Sequence, residues 1–113
     1  MSEALPFLPI EFVWAARQEL DEIWNWNERR YGSEHAARYF RFLRNQIELL
    51  STDYHRGTVL PANPNLRYLV IRRKPRGYGH IAVYEIHERT IVILHVFHTS
   101  QDWQRLLTED EPP

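Results

Sequence analysis

The sequence predicts an α+β domain in which an antiparallel sheet packs against a hairpin of two helices. Two observations lead to this fold class. Apolar residues recur every three or four positions over 14–50, which is typical of amphipathic helices. Over 66–97 the pattern changes to runs rich in Val, Ile and Tyr, separated by short polar spacers, as in strands joined by hairpin turns. Since 113 residues suit one domain, we expect 1–113 to form a single unit.

Two helices are predicted on either side of Gly32. The first runs from Trp14 to Tyr31, and Gly32 ends it because glycine readily adopts the backbone that terminates helices. Ser33 offers a hydroxyl to cap the second helix, and Glu34 places a negative charge in its first turn. The second helix runs to about Leu50, so the two elements form an antiparallel α-hairpin.

Three strands in a meander are predicted after an irregular loop at 51–65. They span 66–73, 78–87 and 90–97, with turns at 74–77 and 88–89.

The two ends of the chain supply the remaining elements. Segment 8–13 is predicted to add a strand, and Ser100 to cap a short helix that ends at Leu107. The expected order is β-α-α-β-β-β-α. The helices would cover one face of the sheet and leave the other available to solvent or a partner. We expect the acidic tail, 108–113, to fray.

The composition excludes several classes of protein. Without cysteine there is no disulfide framework, thiol nucleophile or thiolate metal site. No apolar run approaches the roughly 20 residues of a membrane helix, and no basic segment precedes an apolar one at the amino terminus. We therefore expect a cytoplasmic protein without a membrane partner.

The net charge of −1 results from cancellation between segments. Residues 66–98 carry six basic and two acidic groups, a net +4, whereas 1–51 carry −2 and 99–113 carry −3. The chain as a whole is therefore not a basic nucleic-acid-binding protein. A basic surface is predicted on the sheet.

That basic surface is concentrated within ten positions. Residues 72–76 lie at a predicted hairpin tip, where adjacent cations repel one another unless an anion neutralises them. They form either a charged turn that discourages edge pairing of the sheet or a site for phosphates or an acidic peptide. Trp26 and Trp103 similarly either complete the core or contact another polypeptide. The candidate partner-binding residues are thus Arg67, Arg72, Arg73, Lys74, Arg76, Trp26 and Trp103.

Histidines on the last two strands are the candidate proton carriers. Alternation along a strand places His80 on one face with Tyr84 and His95 on one face with Phe97. His95 is interpreted as structural, whereas His98 stands at the strand end, where functional sites often form. Because no spacing of three or four convergent ligands occurs, we expect neither a metal nor another cofactor.

Several segments, taken in order, resemble one known family. They are 16–24 with Tyr31-Gly32, then Ala36, Ala37, Phe40 and Leu43, followed by 66–70, 82–86 and 91–98, with Asp102 beyond. In this order and spacing they resemble the RelE/ParE superfamily of bacterial type II toxin-antitoxin systems, also called plasmid stabilisation proteins. The resemblance covers about residues 10–107.

The resemblance implies the small RelE/ParE-like fold and a toxin held inactive by an antitoxin from the same operon. ParE-like members poison DNA gyrase, whereas RelE-like members are ribosome-dependent mRNA endoribonucleases. The chain is more similar to the ParE-like members, because its helical hairpin is long and Asp102 follows His98 by four positions. The corresponding pattern reads His-Gly-Arg-Arg-Asp, and the absence of its two arginines here puts in doubt any function that depends on them.

If the chain were instead RelE-like, it would be an enzyme with a catalytic set drawn from these residues. Arginines would stabilise the phosphorane, and a His or Tyr would move protons. The catalytic candidates on that hypothesis are His98, Arg67, Arg72, Arg73 and Tyr84. A single lysine and a net acidic charge weigh against a ribosome-directed nuclease. A third alternative is a non-toxic homologue that still binds an antitoxin.

Overall fold

Two helices lie against one face of a five-stranded sheet in the computed structural model, which describes residues 7–109. A 3₁₀ turn, Leu49–Ser51, follows the second helix. The predicted α+β fold class is confirmed. In chain order the elements are β1 (Ile10–Phe12), α1 (Trp14–Tyr31), α2 (Ser33–Glu48), β2 (Thr58–Leu60), β3 (Asn63–Ile71), β4 (His80–His87), β5 (Thr90–His98) and α3 (Trp103–Glu109).

The loop predicted at 51–65 contains a strand that the sequence pattern missed. β2 pairs with β3 in the antiparallel sense, with Thr58 opposite Tyr68. Three residues are too few to show an alternating pattern, and the nearby Pro61 and Pro64 favour irregular structure. The observed order is therefore β-α-α-β-β-β-β-α.

The strands are ordered β1-β5-β4-β3-β2 across the sheet. All neighbours are antiparallel except β1 and β5, where Ile10 pairs with Ile91 in the parallel sense. The predicted β4–β5 turn is confirmed at Glu88 and Arg89. Both residues have positive φ, 46° and 68°, which is the backbone of a two-residue type I′ hairpin.

Gly32 separates the two helices as predicted, but the capping prediction was wrong. Gly32 has φ of 91° and itself occupies the N-cap position of α2. The Ser33 hydroxyl makes no capping hydrogen bond and instead donates to Oε2 of Glu28 at 3.2 Å. Since Ser33 is already helical, its side chain points back toward the end of α1. Glu34 lies in the first turn, as expected.

The sheet buries apolar side chains on both faces. One face packs under the helical hairpin, where Leu43, Ile47 and Ile93 are fully buried. The other face carries a smaller cluster around Val83 and Phe97, against which α3 packs. This second face was predicted to be available to solvent, but α3 covers part of it.

α3 begins later than predicted and extends further. It starts at Trp103, so Ser100 lies before the helix and does not cap it. Thr108 and Glu109, which we expected to belong to a frayed tail, are helical, and the rest of that tail lies outside the described residues. None of the helices within 7–109 combines the length and apolar character that a bilayer crossing requires.

Candidate functional site

A groove runs between the helical hairpin and the β3–β4 turn. Its volume is about 1170 Å³. Glu19, Glu22 and Trp26 stand on the α1 wall, while 73–74 and 76–79 form the opposite wall. His80 and His98 lie between the two walls, where β4 begins and β5 ends. The groove therefore joins an acidic wall, a basic wall and a histidine-containing floor.

The β3–β4 turn is attached to the end of β5. The backbone N–H of Gly79 donates to the Thr99 hydroxyl at 3.0 Å, and the Thr99 N–H donates to the Gly79 carbonyl at 3.0 Å. A Cβ on Gly79 would overlap the carbonyl oxygen of Ile71, so a larger residue does not fit there. Gly77 has φ of 117°, which disfavours other residues. These constraints place Tyr78 beside His98.

Four basic side chains of this turn are exposed: Arg72, Arg73, Lys74 and Arg76. None of them forms an ion pair with a carboxylate within residues 7–109. Only the Arg73 guanidinium has an aromatic contact, lying 5.8 Å from the ring centroid of Phe42. The turn therefore presents unneutralised positive charge to the groove.

Arg67 was predicted to belong with these cations, but the structure places it elsewhere. It pairs with Tyr84 and Val59 inside the sheet, and its Nη1 donates to the carbonyl oxygens of His55 and Gly57 at 3.2 and 2.9 Å. Its guanidinium thus holds the loop that precedes β2, away from the groove.

The Tyr84 side chain is also hydrogen-bonded to the loop that precedes β2. Its side chain is fully buried, its hydroxyl donates to the Tyr54 carbonyl at 2.8 Å, and it accepts the Gly57 N–H at 2.9 Å. Burial raises the pKa of Tyr84. A phenol that is fully buried and already bonded on both sides cannot exchange protons with a substrate at the surface.

A row of polar aromatic side chains crosses the floor of the groove. Tyr39 Oη lies 2.6 Å from His80 Nδ1, and the His80 and His98 ring centroids are 5.2 Å apart. Burial and the nearby His98 lower the pKa of His80 to about 4. Burial raises the pKa of Tyr39 to about 12, although Arg73 opposes this rise. Both groups are consequently uncharged near neutral pH.

His98 forms its own hydrogen bonds at the strand end. Its Nδ1 accepts the Ser100 N–H at 3.1 Å and lies 2.6 Å from the Ser100 hydroxyl. Nδ1 is thus an acceptor, and in the neutral ring the proton is on Nε2. Burial lowers the pKa of His98. His98 lines the groove at the end of β5.

A bulge in β5 lies just before His95, and His95 and His98 have different surroundings. Val83 pairs with His95 but Tyr84 pairs with Ile93, so β5 has one extra residue there. His95 stacks on Phe97 at 4.7 Å and contacts Glu19 at 3.1 Å, as expected of a structural histidine. His80 and His98 lie directly opposite each other on the helix-facing side.

The two tryptophans have different surroundings. Trp26 is 47% exposed, lines the groove and makes an edge contact with Tyr31. Trp103 packs on Tyr68 and Phe97 beneath the other sheet face. Of the two possibilities considered for Trp103, these contacts favour completion of the core.

Sequence reasoning missed Tyr39 and His80 as a pair. Tyr39 lies beside the predicted apolar stripe of α2, and nothing in the sequence indicates that its hydroxyl reaches the first residue of β4. Within residues 7–109, no group of three His, Asp or Glu side chains is arranged to hold a metal ion.

Comparison with known proteins shows that this chain is similar to one family. Residues 10–103 match the family described as the ParE toxin of the type II toxin-antitoxin system, parDE. Toxin ParE1 of Caulobacter vibrioides is 37% identical over 87 residues, which is 77% of this chain and 84% of that protein.

A solved structure described as the chromosomal ParDE TA system from P. aeruginosa has a similar fold. Its TM-score is 0.67 at 22% identity, covering 80% of this chain and 95% of that chain. The family match at 10–103 includes the helical hairpin, the β3–β4 turn and His98. The similarity thus extends over nearly all of the groove.

Proposed function

Because this chain belongs to the ParE toxin family of type II toxin-antitoxin systems, we propose that it arrests growth by acting on DNA gyrase in the cytoplasm. We further propose that an antitoxin from the same operon neutralises it and that the pair serves in plasmid stabilisation. The observation that carries the proposal is the family match over 10–103, which includes both walls of the groove.

The groove is the proposed docking site of the antitoxin. An acidic or amphipathic segment would place carboxylates near Arg73, Lys74 and Arg76, which lack acidic partners within 7–109. Its apolar residues would contact Trp26, which is half exposed on the opposite wall. Arg72 is exposed beside this site, whereas Arg67 and Trp103 are engaged within the protein.

The disposition of the catalytic candidates weighs against mRNA cleavage. Ribonuclease chemistry needs a proton acceptor, a proton donor and a cation around one phosphate. Of the candidates, Arg73 and His98 line the groove and Arg72 is exposed outside it. Tyr84 is buried, and Arg67 is hydrogen-bonded to the loop before β2. Arg73 and His98 form an incomplete set for such cleavage.

The proposal is tested by expressing the chain with and without the neighbouring open reading frame. We expect growth arrest when the toxin is expressed alone, with DNA synthesis stopping before protein synthesis, and rescue together with co-purification when both are expressed. Purified toxin should inhibit gyrase supercoiling or trap cleaved DNA. Ribosome-dependent mRNA cleavage that His98→Ala abolishes would instead establish the RelE-like alternative, and a complex without toxicity would indicate the non-toxic homologue.

The docking site is tested by charge reversal. Lys74→Glu with Arg76→Glu should weaken antitoxin binding, because both side chains are exposed on the basic wall. Arg38→Glu with Arg41→Glu is the matched control, since these exposed α2 arginines lie outside the groove. Equal loss of binding in both double variants would contradict docking at the β3–β4 turn.

A further inference from the structure

Tyr78 is an exposed aromatic ring in a fixed position. It is 79% exposed, and no other large apolar side chain within 7–109 is more exposed. Its ring nevertheless lies against His98, with centroids 5.4 Å apart and the planes inclined by 36°. The hydrogen bonds between Gly79 and Thr99 hold the backbone beside it. The Tyr78 ring thus contacts His98 on one side and is otherwise open to a ligand.

Cations that form no ion pair within residues 7–109 lie in the same turn and groove as this ring. Lys74 and Arg76 precede it in the same turn, and Arg73 lines the same groove. Placing three cations within four positions costs electrostatic energy unless an anion lies between them. The floor beside them contains the His80–Tyr39 pair, which carries no carboxylate. On the far wall, Glu19 accepts the Val96 N–H at 2.9 Å, and Glu22 is exposed.

We propose that Tyr78 and the cations Arg73, Lys74 and Arg76 form a binding site for an unpaired stretch of DNA. A base stacks on the open side of Tyr78, and the adjoining phosphates lie against the three cations. Sequence-independent binding of single strands requires this combination of an aromatic platform and a positive groove. An acidic peptide would use the cations but has no comparable need for the exposed ring.

The choice of DNA over RNA rests on the proposed gyrase target. If the antitoxin uses the same cations, it and the DNA strand bind in competition. Neutralisation would then include displacement of the toxin from DNA.

The site is tested by fluorescence anisotropy with a fluorescein-labelled deoxythymidine oligonucleotide about 12 nucleotides long. We expect binding that weakens as salt rises. Tyr78→Ala should weaken it about tenfold, while Tyr78→Phe, which keeps the ring, should bind like the wild type. Lys74→Gln with Arg76→Gln should reduce the slope of log affinity against log salt by about 1.4. Arg38→Gln with Arg41→Gln is the control for net charge, and urea unfolding curves check that each variant is folded.

Several results would overturn the inference. They are equal binding by Tyr78→Ala and the wild type, and equal affinity for a duplex or for the matching ribo-oligonucleotide. Because the measurement contains no gyrase, a failure of the DNA site can be told apart from a failure of the proposed function. Gyrase inhibition without oligonucleotide binding would refute the DNA site alone, and oligonucleotide binding without gyrase inhibition would refute the gyrase target alone.

Discussion

The Tyr39 hydroxyl and Nδ1 of His80 lie 2.6 Å apart and connect the middle of α2 to the first residue of β4. Both side chains are largely buried on the floor of the groove, and each satisfies a polar group of the other. The contact spans 41 residues of sequence. It therefore fixes the helical hairpin relative to the β3–β4 turn, the two walls of the proposed binding site.

Removal of the Tyr39 hydroxyl should destabilise the protein. Tyr39→Phe leaves the buried His80 Nδ1 without its partner, at an expected cost of about 1–3 kcal/mol in the free energy of unfolding. Tyr31→Phe is the matched control, because Tyr31 is more than half exposed and its ring contacts are retained. Urea denaturation measures both. A Tyr39→Phe variant as stable as Tyr31→Phe would contradict this role.

The stability should fall on acidification because of His80. The pKa of His80 is lowered to about 4 in the folded protein from 6.5, so the unfolded chain binds more protons between these values. The free energy of unfolding therefore has its full value with respect to His80 above pH 6.5, and it decreases as the pH falls from 6.5 toward 4. A shift of this size corresponds to about 3 kcal/mol.

His80→Gln should remove most of that pH dependence, whereas His87→Gln, at an exposed strand end, should retain it. Denaturant unfolding at a series of pH values between 7 and 4 gives the comparison. Parallel curves for His80→Gln and the wild type would assign the acid sensitivity to other groups.

Tyr84 should contribute to the stability of the fold and not to RNA cleavage. Tyr84→Phe leaves the Gly57 N–H and the Tyr54 carbonyl unpaired in a buried position, which should cost about 1–3 kcal/mol for each group that water cannot reach. Tyr78→Phe, at an exposed position, should leave stability unchanged. If Tyr84→Phe unfolds at the wild-type denaturant concentration, the two hydrogen bonds contribute little.

The Glu19 carboxylate should stabilise the part of β5 that does not pair with β1. β1 pairs with β5 only up to Ile93, and beyond it the Glu19 carboxylate accepts the Val96 N–H at 2.9 Å. Glu19→Ala should cost about 1–3 kcal/mol and accelerate hydrogen exchange at the Val96 amide. Glu19→Gln retains an acceptor oxygen and should exchange more slowly than Glu19→Ala. Glu22→Ala, one turn along the same helix face, is the control, and equal exchange in all three variants would refute the role.

Local patterns in the sequence predicted most of the fold. The 3.6-residue period defined both helices, and Gly32 marked the break between them because a positive φ is accessible to it. The spacer at Glu88-Arg89 predicted a hairpin turn, and the positive φ of both residues makes it type I′. β2 was missed because three residues carry no periodic signal, and its pairing with β3 depends on contacts made after the loop folds back.

The candidate site was only partly predictable. Strand alternation placed His98 at a rim and grouped the basic residues at a hairpin tip, which is where they lie. The sequence pattern could not separate Arg67 from the other basic residues. Its hydrogen-bond partners are the carbonyls of His55 and Gly57, which belong to the irregular loop. Nor could it show that Tyr84, on the same face as His80, is buried beneath that loop.

The sequence alone determined that the net charge near zero conceals a basic strand region, that two amphipathic helices precede a meander, and that the chain resembles the RelE/ParE superfamily. Periodicity and local charge carry this information because they reflect which face of each element is buried. Only the tertiary structure decided which cations remain unneutralised, that Tyr78 rests on His98, and that Tyr39 pairs with His80. These contacts join elements distant in sequence, and their geometry follows from strand register, bulges and helix packing rather than from any local pattern.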